Sequence, residues 1–202
     1  MMRAARLLPV AALLLACGSA VAQTPGQETP SPSPPPPRAL PSREATLDRL
    51  FGLLKVAPDS QTAAAIAGAI QNQWISAASP AIRLLLSRGL RELANNDGQD
   101  AVDDFDAALD LDSSLVAAWH GRAMARALLG DPAGAERDIA ETMKREPRDF
   151  DALQDLSHFA EQRGDWRGAY DAWSRAMDLD PQVAGGAERL KDLHRRAFGD
   201  QT

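Results

Sequence analysis

The chain has 202 residues, enough for one domain with a core of its own. Hydrophobic residues make up 45% and charged residues 25%, which excludes a collagen-like or wholly disordered chain. A net charge of −6, 5% aromatics and a single cysteine count against three classes: a nucleic-acid binder, which needs clustered Lys and Arg, a disulfide scaffold and a structural zinc module.

In chain order, Arg3 and Arg6 form a basic start, Leu7 to Ala16 an apolar stretch, and Ala20-Val21-Ala22 a small-residue cleavage pattern before Gln23. The apolar stretch is too short to cross a bilayer as a helix, which takes roughly 20 residues. The order basic, apolar, small predicts a secretory signal peptide over 1–22 and export to the bacterial periplasm. Leu14-Leu15-Ala16-Cys17 supports a competing reading, because it resembles the lipobox at which bacterial lipoproteins are acylated on cysteine. Lipidation at Cys17 would make the protein a membrane-anchored lipoprotein, whereas cleavage before Gln23 leaves a chain without cysteine.

Residues 23–41 are dominated by Pro, Ser and Thr. Proline fixes φ and removes the backbone donor, so an extended, disordered linker is expected here. An N-terminal helical hairpin is expected over 42–80. Leu47, Leu50, Phe51 and Leu54 recur at helical spacing behind Ser42, a suitable N-cap. After the turn at Pro58-Asp59-Ser60, Ile66, Ile70 and Trp74 follow at four-residue steps. We expect this pair to stack on the segment that follows it.

From residue 82 the chain repeats itself with a period of 34. Ala101, Ala135 and Ala169 match, as do Phe105, Ile139 and Trp173; Ala108, Thr142 and Ala176; Ser113, Pro147 and Pro181; Leu85, Trp119 and Leu153; and Asn96, Gly130 and Gly164. In these columns the chain resembles the tetratricopeptide repeat (TPR) family, whose 34-residue pattern is W-x2-L-G-x2-Y, then A-x3-F, then P. The likeness covers three repeats, 82–115, 116–149 and 150–183, and is fullest in the third. Asn96 replaces the usual glycine but tolerates the left-handed conformation of a helix C-terminus. Arg122 and Thr142 put polar groups in columns that are normally apolar or small. Residues 184–202 follow as a capping helix and tail, with Leu190, Leu193, Ala197 and Phe198 as its apolar stripe.

The resemblance implies an all-α, TPR-type alpha-alpha solenoid, because one helical pair cannot bury its own faces and must stack on its neighbours. It also implies that the first helix of each repeat lines a concave groove for a protein or peptide segment. Helical phase then assigns Arg83, Leu86, Leu90 and Leu93 to this groove from the first repeat. The second repeat adds Ala117, His120, Met124 and Leu128, and the third Asp151, Gln154, His158 and Glu161. A groove apolar at one end and polar to acidic at the other suits a partner with aliphatic or aromatic anchors and basic flanks. Leu86, His120 and Gln154 occupy one of the positions where some members of the family carry a basic clamp for a C-terminal carboxylate, so that clamp is absent. A second arrangement stays open, in which hairpin 42–80 covers these residues and turns groove into core.

No G-x-S-x-G, P-loop, H-E-x-x-H or C-x-x-C motif occurs. His120, His158 and His194 are spread along the array, and no metal or cofactor is implied. The run Asp100, Asp103, Asp104, Asp106, Asp110 and Asp112 lacks the loop spacing of a calcium site and reads as a solvated convex face. The expected function is that of a non-enzymatic, exported interaction scaffold or adaptor; the alternative is an envelope assembly factor anchored through Cys17.

Overall fold

Most helix starts have a cause legible in the chain. Ser42, Asp59, Ser79, Asp131, Asp149 and Asp165 each precede a helix, and a side-chain oxygen of each accepts from the backbone N–H three residues on. Such a cap stabilises a helix by about 1 kcal/mol. Pro80 and Pro132 open their helices where a missing N–H costs nothing.

The computed structural model describes residues 41–199. Among them are nine helices and no strand: α1 (Arg43–Lys55), α2 (Ser60–Ile75), α3 (Pro80–Ala94), α4 (Gly98–Leu111), α5 (Val116–Leu128), α6 (Pro132–Arg145), α7 (Phe150–Gln162), α8 (Trp166–Leu179) and α9 (Gly186–Phe198). The expected signal peptide, Cys17 and nearly all of the Pro-rich linker lie outside the described residues.

Helices α3–α4, α5–α6 and α7–α8 form successive pairs stacked in order, each pair turning at a residue of positive φ: Asn96 at 63°, Gly130 at 76° and Gly164 at 75°. The 34-residue columns become equivalent places in the core. Ala101, Ala135 and Ala169 are all fully buried, with Phe105, Ile139 and Trp173 filling the space between helices one turn further on. α9 closes the array against α8: Leu193 is buried, and the Trp173 indole N–H donates to the Gly186 carbonyl at 3.0 Å. The apolar stripe of α9 is buried only in part, for Phe198 is half exposed and meets Tyr170 edge-on at 5.4 Å.

Phe105 takes its place because two glycines make room for it. A Cβ on Gly121 would lie 2.4 Å from the Phe105 ring, and one on Gly89 would lie 2.9 Å from it. The ring of α4 is therefore seated against bare backbone of α3 and α5.

The polar intrusions in the repeat pattern are absorbed locally. Arg122 forks onto Asp138, with nitrogen–oxygen distances of 2.9 and 2.7 Å, also pairs with Asp106, and lies 4.7 Å from the centroid of the Trp119 ring. Arg126 reaches the same Asp138 at 2.7 Å. Thr142 is fully buried, and its hydroxyl donates to the Asp138 carbonyl at 3.0 Å. The acidic run of α4 is not a uniformly solvated face. Asp104 is buried and pairs with Arg88 at 3.0 Å, and Asp106 is taken up by Arg122. The arginines of α3 and α5 reach across to these carboxylates, which helical phase within α4 alone does not reveal.

The N-terminal hairpin departs from the expected stacking. It does not extend the array from the first repeat; α2 packs against α5, and α1 against α8. Leu47, Phe51 and Leu54 of α1 and Ala63, Ile70 and Trp74 of α2 share one apolar cluster with Phe150, at the start of α7. Four polar ties hold the same junction. Arg148 reaches Asp48 at 2.6 Å and lies 4.5 Å from the Phe51 ring centroid, Gln182 donates to the Ala57 carbonyl at 3.1 Å, and Gln71 donates to Asp151 at 2.7 Å. The physical reason is that the hairpin breaks the repeat pattern at its packing columns: Ala67 stands 34 residues before Ala101, but Thr62, Gln71 and Trp74 take the places of the turn residue, the large apolar residue and the second small residue. The apolar faces of α1 and α2 bury instead on the aromatic at position 150.

Candidate functional site: a groove partly roofed by the chain's own hairpin

With α2 lying across the inner face of the array, a cavity of ≈ 490 Å³ remains between α2 and the first helices of the repeats. Its volume falls within the roughly 300–1,000 Å³ of small-ligand sites. From α3 it is lined by Arg83, Leu86, Ser87, Leu90 and Leu93, and from α5 by Ala117, His120, Gly121 and Met124. α2 contributes Gln71, Asn72, Trp74 and Ile75; Phe105 reaches it from α4; and the third repeat contributes Asp149, Asp151 and Asp155.

Eight of the twelve residues that helical phase assigns to the groove therefore meet around one cavity: Arg83, Leu86, Leu90, Leu93, Ala117, His120, Met124 and Asp151. Leu128, Gln154, His158 and Glu161 do not line it. Leu128 is 44% exposed beyond its edge. His158 is exposed and shares a contact with Gln162 at 2.9 Å, and Glu161 turns to Arg189 of α9. Only the beginning of α7 faces the cavity, because the α1–α2 hairpin crosses there. Hairpin coverage is thus partial: it roofs the start of α7 and leaves Leu90 58% and Met124 37% exposed.

The two ends of the cavity differ in chemistry. At the open end Leu86, Leu90, Leu93 and Met124 form an aliphatic rim over Phe105. At the covered end His120 is surrounded by carboxylates: Nε2 lies 2.7 Å from Asp155 and Nδ1 3.7 Å from Asp149. Burial alone would lower the imidazole pKa. The bond to Asp155 and the charges of Asp149, Asp155 and Asp151 outweigh it and hold His120 at about 9, doubly protonated at neutral pH. Burial pushes Asp149 and Asp151 above the ordinary carboxylate range, while the His120 charge pulls both back.

Asp149, Asp155 and the α2 residues were not among those assigned from sequence. Asp149 is the N-cap of α7, its Oδ1 accepting from Ala152 N at 3.0 Å. Asp155 was legible, standing four residues after Asp151 on the same helical face. Trp74 and Gln71 had no signal, since their part depends on where the hairpin docks. Among the described residues no group of three or more His, Cys, Asp and Glu side chains is placed to hold a metal ion. Nor, among the same residues, is any helix long and apolar enough to cross a membrane.

The paired helices and their 34-residue columns define a short TPR-type solenoid. The comparisons with known proteins agree. No family model matches the chain. A Rhizobium etli protein named as a TPR repeat-containing protein is 27% identical over 161 residues, covering 80% of this chain and 79% of that one. Among solved structures, the first TPR of Spaghetti (RPAP3), bound to the HSP90 peptide SRMEEVD, superposes with a TM-score of 0.54 at 18% identity over 58% of this chain and 93% of its own. The Yersinia enterocolitica type III secretion chaperone SycD, in complex with a peptide of the translocator YopD, gives 0.51 at 16% identity over 59% and 92%. MamA protein gives 0.54 at 13% identity over 78% and 84%.

Proposed function

We propose that this protein is a non-enzymatic adaptor, exported to the bacterial periplasm, that holds a segment of another protein in the groove between α2, α3 and α5. The observation that carries the reading is the preformed cavity with Leu90 and Met124 left exposed on its rim. A groove already shaped before binding keeps the ordering cost mainly on the partner. Two of the structural neighbours are complexes with peptides, which supports peptide binding by a fold of this kind. His120, held protonated by its carboxylates, stands in the groove at neutral pH as a positive charge and not as a general base.

The test is a crosslinking pull-down from envelope extract with wild type, Leu90→Glu and Met124→Glu, each checked for helical content by circular dichroism. Loss of the wild-type partners in both variants is expected. Recovery of the same partners by folded variants would overturn the groove assignment. Mass spectrometry of the mature N-terminus tests export: a chain starting at Gln23 supports simple secretion, and an acylated Cys17 replaces it with the lipid-anchored envelope factor.

A further inference from the structure

The apolar rim accounts for hydrophobic anchors, but the covered end of the same cavity has needs of its own. Asp149 is 1% exposed, and its Oδ2 has no hydrogen-bond partner; its nearest cation is His120 Nδ1 at 3.7 Å. Asp151 engages one oxygen with Gln71, and Asp155 one with His120. Three carboxylates thus face one imidazolium. Trp74, 5% exposed and lining the same cavity, carries an indole N–H that also lacks a partner. A buried acceptor and a buried donor left unpaired each cost free energy, and native structures seldom leave them so without a reason. A ligand with a cationic donor and a carbonyl acceptor satisfies both.

We propose that this end of the cavity is a subsite for a lysine or arginine side chain of the bound peptide, its charged head received by Asp149, Asp151 and Asp155 and a backbone carbonyl accepting from Trp74. The apolar neighbours of that basic residue lie along Leu86, Leu90 and Met124. The inference rests on the reading of the groove as a peptide site and names the chemistry that site selects. A cavity of ≈ 490 Å³ takes a short segment of a few residues and not a whole helix, because α2 roofs its covered end. The sign of the selection is opposite to that of a carboxylate clamp, since the walls carry three carboxylates against two cations, His120 and Arg83, the latter also bonded to the Ala78 carbonyl. Burial raises the pKa of Asp149 and Asp151, as expected of carboxylates short of a cation.

The test is isothermal titration calorimetry of the full mature chain with three acetylated, amidated pentapeptides of leucine whose central residue is lysine, norleucine or glutamate. Norleucine keeps the aliphatic stem and removes the charge. The lysine peptide is expected to bind about tenfold or more tightly than the norleucine peptide, in line with a charge-assisted bond in a partly desolvated site. The glutamate peptide is expected to be weaker still. Asp151→Asn with Asp155→Asn keeps acceptors for Gln71 and His120, so the fold should persist, and it is expected to bring the lysine and norleucine peptides to equal affinity. Equal affinity in the wild type, or a lysine preference that survives in the double variant, overturns the subsite while leaving the groove reading intact. Leu90→Glu addresses the groove itself: peptide binding that is unchanged by it overturns the underlying reading, and no binding of any peptide to the wild type removes both.

Discussion

The two ends of the groove share α5 and are otherwise built from different helices by opposite means. At the open end each first helix presents side chains from its repeat position alone, and Leu90 and Met124 stand exposed over a Phe105 floor. At the covered end no single repeat supplies the site: His120 comes from α5, the carboxylates from α7 and its preceding turn, and the roof from α2, outside the repeats. The open end is thus what the 34-residue period makes, and the covered end is what the exception to the period makes. Regular positions in the array differ only by substitution, whereas the interruption brings non-equivalent groups together.

The largest expected effect falls on the floor of the open end. Phe105→Ala empties a fully buried ring site held against Gly89 and Gly121. It should cost about 3–5 kcal/mol in chemical denaturation. A cost below about 1 kcal/mol would mean that the ring is not the common support of α3, α4 and α5.

The covered end should instead respond to pH. The His120 pKa is raised from 6.5 to about 9. Its contribution to stability is therefore fully present below pH 6.5 and is lost as the pH rises through 9. The shift corresponds to about 3 kcal/mol at most. Asp149 and Asp151, raised by burial, act in the same direction, favouring the folded state at low pH. Unfolding free energies measured from pH 6 to 9.5 should fall across this window, and His120→Gln should flatten the fall. A flat profile for the wild type would show that His120 is not held charged by its neighbours.

The smallest effect concerns the roof. Asp48→Ala removes the tie to Arg148 and leaves Arg148 on Glu146 and over Phe51. It should cost about 0.5 kcal/mol, the scale of a partly exposed ion pair. Hydrogen–deuterium exchange should quicken in residues 43–75 and stay unchanged in residues 98–179. Equal quickening in both would show that hairpin and repeats open as one cooperative unit.

The sequence made the array legible and left the roof illegible, for physical reasons. Ala101, Ala135 and Ala169 recur because close helix packing admits only small side chains, so the pattern survives when the residues around it drift. Asn96 stood in for glycine because its short polar side chain tolerates the left-handed turn, which it adopts at φ 63°. Arg122 broke an apolar column visibly, but its partners Asp106 and Asp138 sit on neighbouring helices at distances that only the fold sets. The hairpin was recognisable as two amphipathic helices. Its docking was not, because amphipathicity says that a face is buried and not against what. The site shows the same limit: Gln154, His158 and Glu161 lie on α7 away from the cavity, whereas Trp74 and Gln71 line it and were not assigned.

The roof also has a mechanical consequence. α2 and α3 are joined by only residues 76–79, with Ala78 buried in the repeat core and Arg83 hydrogen-bonded to its carbonyl. One wall of the cavity therefore hangs on a leash of four residues whose far end is bolted down. Its clearance can change by rotation about that leash but hardly by sliding, and an occupant too thick for the gap has to lever the whole hairpin off Phe150.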